Sequence, residues 1–516
     1  MVAAYVILAI YTLALLYITV YCLMQLNLLI AYKRYHRRKP LANKVPTTQK
    51  LALAKLAQPA LAVAGEPDEQ TLLPMVTVQL PIFNEKYVVE RLIDAVADFQ
   101  YPRDRFEIHI LDDSTDETVD LVAAKVAEYR EQGFRIEQVR RQIRQGYKAG
   151  ALRDAMPLAS GAFIAIFDAD FLPKPDFLLR TLPFFDLEKV GVVQTRWEHL
   201  NEDYSLITRL QALQLNVHFT VEQVGRMSGQ HFLQFNGTAG IWRKSCIEEA
   251  GGWEADTLTE DLDLSIRAQL KGWQIQYLEE VGSPAELPVE MNSLKSQQYR
   301  WMKGGAETAR KLLPTVWRSP TSLGKKIHAS FHLMASTVFV FVFLTGVFSV
   351  PLLFVLNDLM ELGFDKDWFA AFLAGLLSIV AVYYVANVQA PVHRDPPLRA
   401  VLKFLLLFPL FLALSMGLSL HNTVAVIQGY LGKKTPFVRT PKFNIKNLRD
   451  SFSRKAYLVQ KMSWTTIWEG ILACYFAAAV YYGISADNLT FVVFHGMLTV
   501  GYGAIFFFTL RHLSIK

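Results

Sequence analysis

Cysteine is almost missing from this 516-residue chain: Cys22, Cys246 and Cys474 lie far apart, and no two stand at metal-ligand spacing. That excludes a disulfide framework and a sulfur-ligated zinc site, and leaves oxygen to hold any metal. Charge is sparse as well. Only 19% of residues are charged against 52% hydrophobic, an unusual balance for a soluble enzyme of this size. The formal net charge of +6 is small for the length. It sits mostly in clusters beside apolar runs, where anionic headgroups are the natural partner; no nucleic-acid motif is present. Between Met75 and Glu290 the chain has no segment long and apolar enough to cross a bilayer. The middle therefore reads as a soluble domain, and the apolar excess belongs to its flanks.

Residues 2–31 exceed the roughly twenty needed to span a bilayer and end at Lys33, Arg34, Arg37, Arg38 and Lys39. No small-residue cleavage site follows a short apolar core, so 1–32 is expected to be a retained transmembrane helix. Residues 33–74, rich in Ala, Leu, Pro and Lys, read as a linker. Past the soluble domain come apolar stretches at 331–356, 368–390, 400–431, 466–486 and 489–510. The first basic cluster puts the soluble domain in the cytoplasm, and the two spans in 331–390 go out and back through Asp358, Glu361, Asp365 and Asp367. If 400–431 also crossed, the basic loop 432–463 would lie outside, against the positive-inside tendency. Its second half carries His421, Asn422, Thr423 and Gln428, so 400–431 is expected to lie in the interface. The last two spans, within 464–516, form a hairpin turning at Asp487 and Asn488. Five spans result; six, with an external amino terminus, is the alternative.

In the soluble part, MVTVQLP and FEIHILDD flank the amphipathic EKYVVERLIDAVADF, a βαβ unit. ETVDLVAAKVAEYREQG, RIEQVRR, KAGALRDAM and AFIAIFDAD continue the alternation. An α/β domain with a doubly wound, mainly parallel sheet is predicted over 75–285, with ligands beyond the strand carboxyl ends. Acidic clusters fall there: Asp112-Asp113, Asp168-Ala169-Asp170, and Thr259-Glu260-Asp261 at a later helix start. Asp168 and Asp170 suit a hard divalent cation bridging to a diphosphate, although a lone D-x-D can also be a solvated loop. Thr259 is expected to cap the helix; Asp261 could accept a hydroxyl proton, or merely satisfy the helix dipole. In Gln297-Gln298-Tyr299-Arg300-Trp301, Arg300 can fork onto phosphate and Trp301 offers a face to a sugar ring. Alternatively both snorkel at the interface.

Q-x-x-R-W after D-D, D-x-D and T-E-D, followed by membrane helices, resembles the processive family 2 glycosyltransferases: cellulose, hyaluronan and chitin synthases. VQLPIFNE, DDSTD, GYKAGAL, FDADF, VQTRW, FNGTAGIWR and TEDLDLS are similar to the plant cellulose-synthase-like proteins that make mannan and glucan backbones. The resemblance implies a GT-A fold, with interfacial helices carrying Q-x-x-R-W over 286–330. It also implies an inverting single displacement from UDP-glucose or GDP-mannose onto a growing β-linked polysaccharide coupled to translocation. It places Asp113, Lys148, Asp168, Gln297 and Arg300 on the nucleotide sugar, Asp168 and Asp170 on Mg²⁺ or Mn²⁺, and Asp261 as the catalytic base. Trp301, Asn236, Gly237 and Thr238 would meet the acceptor. Phe437, Thr440 and Lys442 would belong to a gating loop similar to F-x-V-T-P-K, with Arg439 where that motif has Val. Implied partners are a glycan or lipid acceptor, membrane lipids and accessory export proteins, and the implied location is the plasma (inner) membrane. The cyclic-dinucleotide-binding domain of bacterial cellulose synthase would have to follow Lys516, so control by that ligand is not expected. Single addition to a membrane lipid, as in ceramide glucosyltransferases, is the alternative activity. A transporter would place more polar residues deep in the spans than His495 and Glu469.

Overall fold

The computed structural model describes residues 2–38, 73–392, 395–445, 450–452, 457 and 462–514. Most of the expected linker 33–74 and parts of the loop 432–463 lie outside these. Strand β1 (Val76–Ile82) is buried on both faces for nearly its whole length, as a central strand covered on two sides must be. It pairs in parallel with β2 (Phe106–Asp112) and β4 (Phe163–Ile166), Val76 standing opposite both Phe106 and Phe163. β3 (Ile136–Val139) adds outside β2, also parallel. The order in the seven-stranded sheet is β3-β2-β1-β4-β6-β5-β7. β6 (Gly240–Arg243) runs antiparallel between β4 and β5 (Val190–His199), and β7 (Gln274–Ala285) is parallel to β5. The sheet is mainly parallel, with one reversed strand fed by the turn at Gly237, φ +77°.

Helices α2 (Val89–Ala97) and α3 (Thr118–Glu131) cover one face, where Val78, Leu80, Ile108, Ile110 and Ala165 are wholly buried. The other face carries α4 (Tyr147–Ala155), then α5 (Leu206–Val217), a π-turn (His218–Glu222) and α6 (Gln223–Ser228). Its core joins Ile164, Ile166, Trp242 and Tyr277 to Leu29 and Tyr32 of α1 (Val2–Arg38) and to Val382 and Ala386. The sheet and the long apolar helices thus share one apolar core, which fixes the domain against them.

α7 (Glu260–Leu270) precedes β7 and α8 (Met291–Arg318) follows it. After α8 come α9 (Leu323–Leu333), α10 (Val338–Glu361), α11 (Leu373–Tyr384), α12 (Pro397–Gly417), α13 (Ser419–Tyr430), α14 (Trp464–Ser485) and α15 (Val492–Leu513). Among the described residues, 6 helical segments are long and apolar enough to cross a membrane, the one at Pro397–Gly417 included. The stretch expected as one interfacial helix is two, broken at Leu418. α12 rests Phe404, Leu407, Phe408 and Phe411 on Leu210 and Leu213 of α5, and Leu418 meets Met291 and Leu294 of α8. Leu398, Leu402, Leu405 and Leu406 are exposed on α12. α13 lies along α8, with Tyr299 donating to Gln428.

Candidate active site

The ends of β2 and β4 and the helices α4, α7 and α8 deliver most of the polar groups. Past β2, both oxygens of Asp113 accept from Arg141, at 3.0 and 2.5 Å. Arg144 stands 3.8 Å away, its guanidinium 3.4 Å from the centre of the Phe83 ring. Past β4, Asp168 accepts from Lys148, which also donates to the Gly237 carbonyl at 2.8 Å. The Asp168 N–H donates to Thr238 Oγ1 at 2.8 Å, so Thr238 is buried behind the cleft rather than lining it. Asp261 stands at the start of α7. A Cβ at Gly237 would come within 3.0 Å of its Oδ2, so the glycine lets backbone and carboxylate approach.

Thr259 does not cap α7 as the sequence led one to expect. Its hydroxyl pairs with Thr308 of α8 at 3.0 Å, because α8 passes so close that any side chain at Gly304 would strike Thr259. Leu258 donates to Glu307 of α8 at 2.9 Å, and Asp261 Oδ1 accepts from the Leu262 N–H at 2.8 Å. Tertiary contact has replaced the local cap.

One turn of α8 turns Gln297, Arg300 and Trp301 toward the same cavity, as i, i+3, i+4 spacing allows. The chain after α13 lies across it. Arg300 donates to the Val438 carbonyl (2.5 Å) and Thr440 Oγ1 (2.7 Å), and sits 4.7 Å from the Phe437 ring centre. Arg439 pairs with Glu85 at 2.5 Å. Lys442 donates to Asp170 at 2.7 Å and to the Glu286 carbonyl. Glu286 also accepts from the Phe443 N–H and pairs with Arg91. The cavity is lined by Asp113, Lys148, Asp168, Asp170, Asn236, Gly237, Asp261, Gln297, Arg300, Trp301, Phe437, Thr440 and Lys442, every site residue expected from the sequence except Thr238. Sequence reasoning missed Glu85, Arg144, Glu260 and Glu286 in the same lining. Glu85 ends VQLPIFNE and Glu260 sits inside T-E-D, so both were in view without a role; nothing marked Arg144 or Glu286.

Burial, with Glu260 adding repulsion, pushes the Asp261 carboxyl up to about 7. Glu260 is raised too, first by burial. Burial raises Asp168 against the pull of Lys148. Burial opposes the Lys148 ammonium, but Asp168 and Glu260 outweigh it and hold its pKa above the ordinary value. Arg300 is brought down by burial to about 10 and stays cationic. The site thus combines a carboxylate poised near neutrality with fixed cations. For a hard cation, Asp168 and Asp170 offer oxygen alone, at present facing Lys148 and Lys442, so the donor set fits. A tighter acidic cluster lies elsewhere, at Glu254, Asp256 and Asp263. The Lys311 ammonium already fills it, 2.6, 2.8 and 2.9 Å from the three carboxylates.

A family profile described as "Glycosyltransferase like family 2" matches residues 74–304. "Glucomannan 4-beta-mannosyltransferase 1" of Oryza sativa subsp. japonica is 35% identical over 405 residues, 77% of this chain and 74% of that protein. "Glucomannan 4-beta-mannosyltransferase 9" of Arabidopsis thaliana is 37% identical over 377 residues, 72% of this chain and 68% of that protein. "Probable glucomannan 4-beta-mannosyltransferase 4" of Oryza sativa subsp. japonica is 44% identical, but the match takes in 50% of this chain and 48% of that protein. The chain therefore spans about half the length of some of the relatives it matches. Among solved structures, the mannosyltransferase PcManGT from Pyrobaculum calidifontis, in complex with GDP-Man and Mn²⁺, is 20% identical. It aligns over 80% of this chain and 100% of that one, with a TM-score of 0.47.

Proposed function

This chain belongs to glycosyltransferase family 2, with glucomannan 4-beta-mannosyltransferases among its relatives, and from that premise we propose that it transfers mannose from GDP-mannose to a growing β-linked glycan by inverting displacement. The observation that carries this reading is the single cleft in which the Asp261 carboxylate, raised to about 7, stands against Gly237 and shares the lining with Asp168, Asp170 and Arg300.

Asp261 would take the proton of the acceptor hydroxyl as its oxygen bonds to the sugar C1. The bond from C1 to the diphosphate breaks on the opposite face, and the nucleoside diphosphate leaves. Arg300 and Lys148 would hold the diphosphate oxygens, Asp113 the nucleoside, and Asn236 and Trp301 the acceptor. Asp168 and Asp170 would hold Mg²⁺ or Mn²⁺, which when bound supplies positive charge to the leaving group. Phe437, Thr440 and Lys442 would lift to admit the donor and close over it.

The proposed location is a membrane, with the catalytic domain and the loop on the cytoplasmic side and five spans. Supporting that topology, α12 contacts α5 near its middle and α8 beyond its end, both on the catalytic-domain side, while Lys403 pairs with Glu202 at 2.6 Å. The test is to incubate the purified protein with labelled GDP-mannose, UDP-glucose or UDP-N-acetylglucosamine and size the product. Long β-mannan or glucomannan from GDP-mannose is expected. Transfer from UDP-glucose alone overturns the donor; a single sugar on lipid overturns the polymer.

A further inference from the structure

Behind the acceptor side of the cleft is a polar chain that the reaction as described does not use. In the π-turn, the His218 ring bridges two side chains: Nδ1 is 3.0 Å from Glu222 Oε2 and Nε2 is 2.8 Å from the Asn236 side-chain amide. Glu222 is held by Arg226 at 3.1 Å. Burial would raise the Glu222 carboxyl, but Arg226 and His218 outweigh it and keep it well below the usual range. An ionised carboxylate only accepts, so Nδ1 carries a hydrogen. A neutral imidazole with its hydrogen on Nδ1 can only accept at Nε2, so the Asn236 amide N–H is the group that donates to His218, and the amide oxygen turns toward the cavity, which the residue lines while 8% exposed. A nearly buried acceptor that ends such a chain at the cavity wall is placed to meet a ligand there.

We propose that Arg226, Glu222 and His218 act as positioning residues that orient the Asn236 amide so that its oxygen accepts from a hydroxyl of the acceptor sugar. The inference rests on the glycosyl-transfer reading above. His218 and Glu222 stand one turn apart, i to i+4, on the side that faces the FNGT loop. Asn236 is further fixed by its own N–H, which donates to Gln194 Oε1 at 2.9 Å, so only the amide plane remains free to turn. His218 removes that last freedom.

The test is a double-mutant cycle on acceptor kinetics with the full-length protein. His218→Ala is expected to lower acceptor kcat/KM by about tenfold, the scale of one oriented hydrogen bond, while donor KM and transfer of the sugar to water stay within about twofold. In an Asn236→Ala background, His218→Ala should have no further effect, because the group it orients is gone. His218→Gln, whose amide oxygen can still accept from the Asn236 amide N–H, should recover most of the rate. Additive losses, parallel loss of sugar transfer to water, or a Gln variant no better than Ala would each overturn the proposal. Absence of any transfer from the donor, to glycan or to water, in the unmutated protein would instead overturn the underlying activity.

Discussion

The sharpest quantitative consequence of the geometry concerns the pH dependence of transfer. If Asp261 is the base and its carboxyl titrates near 7, only about a tenth of it is ionised at pH 6, half at pH 7 and nine tenths at pH 8. A base must be ionised to accept a proton, so kcat/KM should rise about tenfold from pH 6 to pH 8 and flatten above. The same shift bears on stability with a definite sign. The unfolded chain gives up this proton near the ordinary 3.8 and the folded one near 7, so Asp261 costs stability increasingly as pH rises through that window. The assay is initial-rate transfer at subsaturating donor from pH 5.5 to 8.5, run alongside Asp261→Asn. The variant should lose about a thousandfold in rate, lose the pH limb, and bind donor within about threefold of the unmutated protein. A profile flat across pH 5.5 to 8, or a variant retaining a tenth of the rate, would refute the assignment of the base.

Asp168→Ala or Asp170→Ala should abolish transfer, and a chelator should abolish it reversibly in the unmutated protein, with Mg²⁺ or Mn²⁺ restoring the rate; full activity in chelator would remove the metal from the scheme. For the topology, single cysteines at Lys433 and Arg439, in a background lacking Cys22, Cys246 and Cys474, should resist an impermeant thiol reagent in intact cells while one at Asp365 reacts. Equal labelling would put the loop outside and end its contact with the nucleotide.

Much of this was legible because β1, β2 and β4 are short apolar runs, two of them followed by acids, and the helix between β1 and β2 has a clear helical period. The reversal of β6 was not legible: four residues, Gly-Ile-Trp-Arg, suit either direction, and only pairing with β4 and β5 decides. The site was legible wherever an acid follows a strand or opens a helix. It was not where the partner is hundreds of residues away, as in Glu85 with Arg439 or Asp170 with Lys442, since no spacing links them. Thr259 shows the opposite failure. Its capping role was sound locally and lost to a helix that the sequence places fifty residues on.

The loop and the metal proposed above compete for one carboxylate, and that competition can be measured. Asp170 accepts from Lys442 at 2.7 Å, with both side chains largely buried. A charge-assisted bond of this kind contributes about 1.5–3 kcal/mol, so a cation entering at Asp170 must displace it. The displacement is local, because Phe443 and Ile445 just beyond are 1% and 0% exposed and Glu286 holds the Phe443 N–H. The segment between α13 and Lys442 can therefore lift while the chain after it stays anchored. Removing the ammonium should leave Asp170 without that cation and tighten Mg²⁺ or Mn²⁺ by about tenfold, the lower end of the bond's worth. Half-saturating metal for sugar transfer to water should thus fall in Lys442→Ala and remain near the unmutated value in Lys442→Arg. If it rises in the alanine variant, Lys442 helps to hold the metal diphosphate instead of competing with it, and the loop in this structure is already in its donor-bound position.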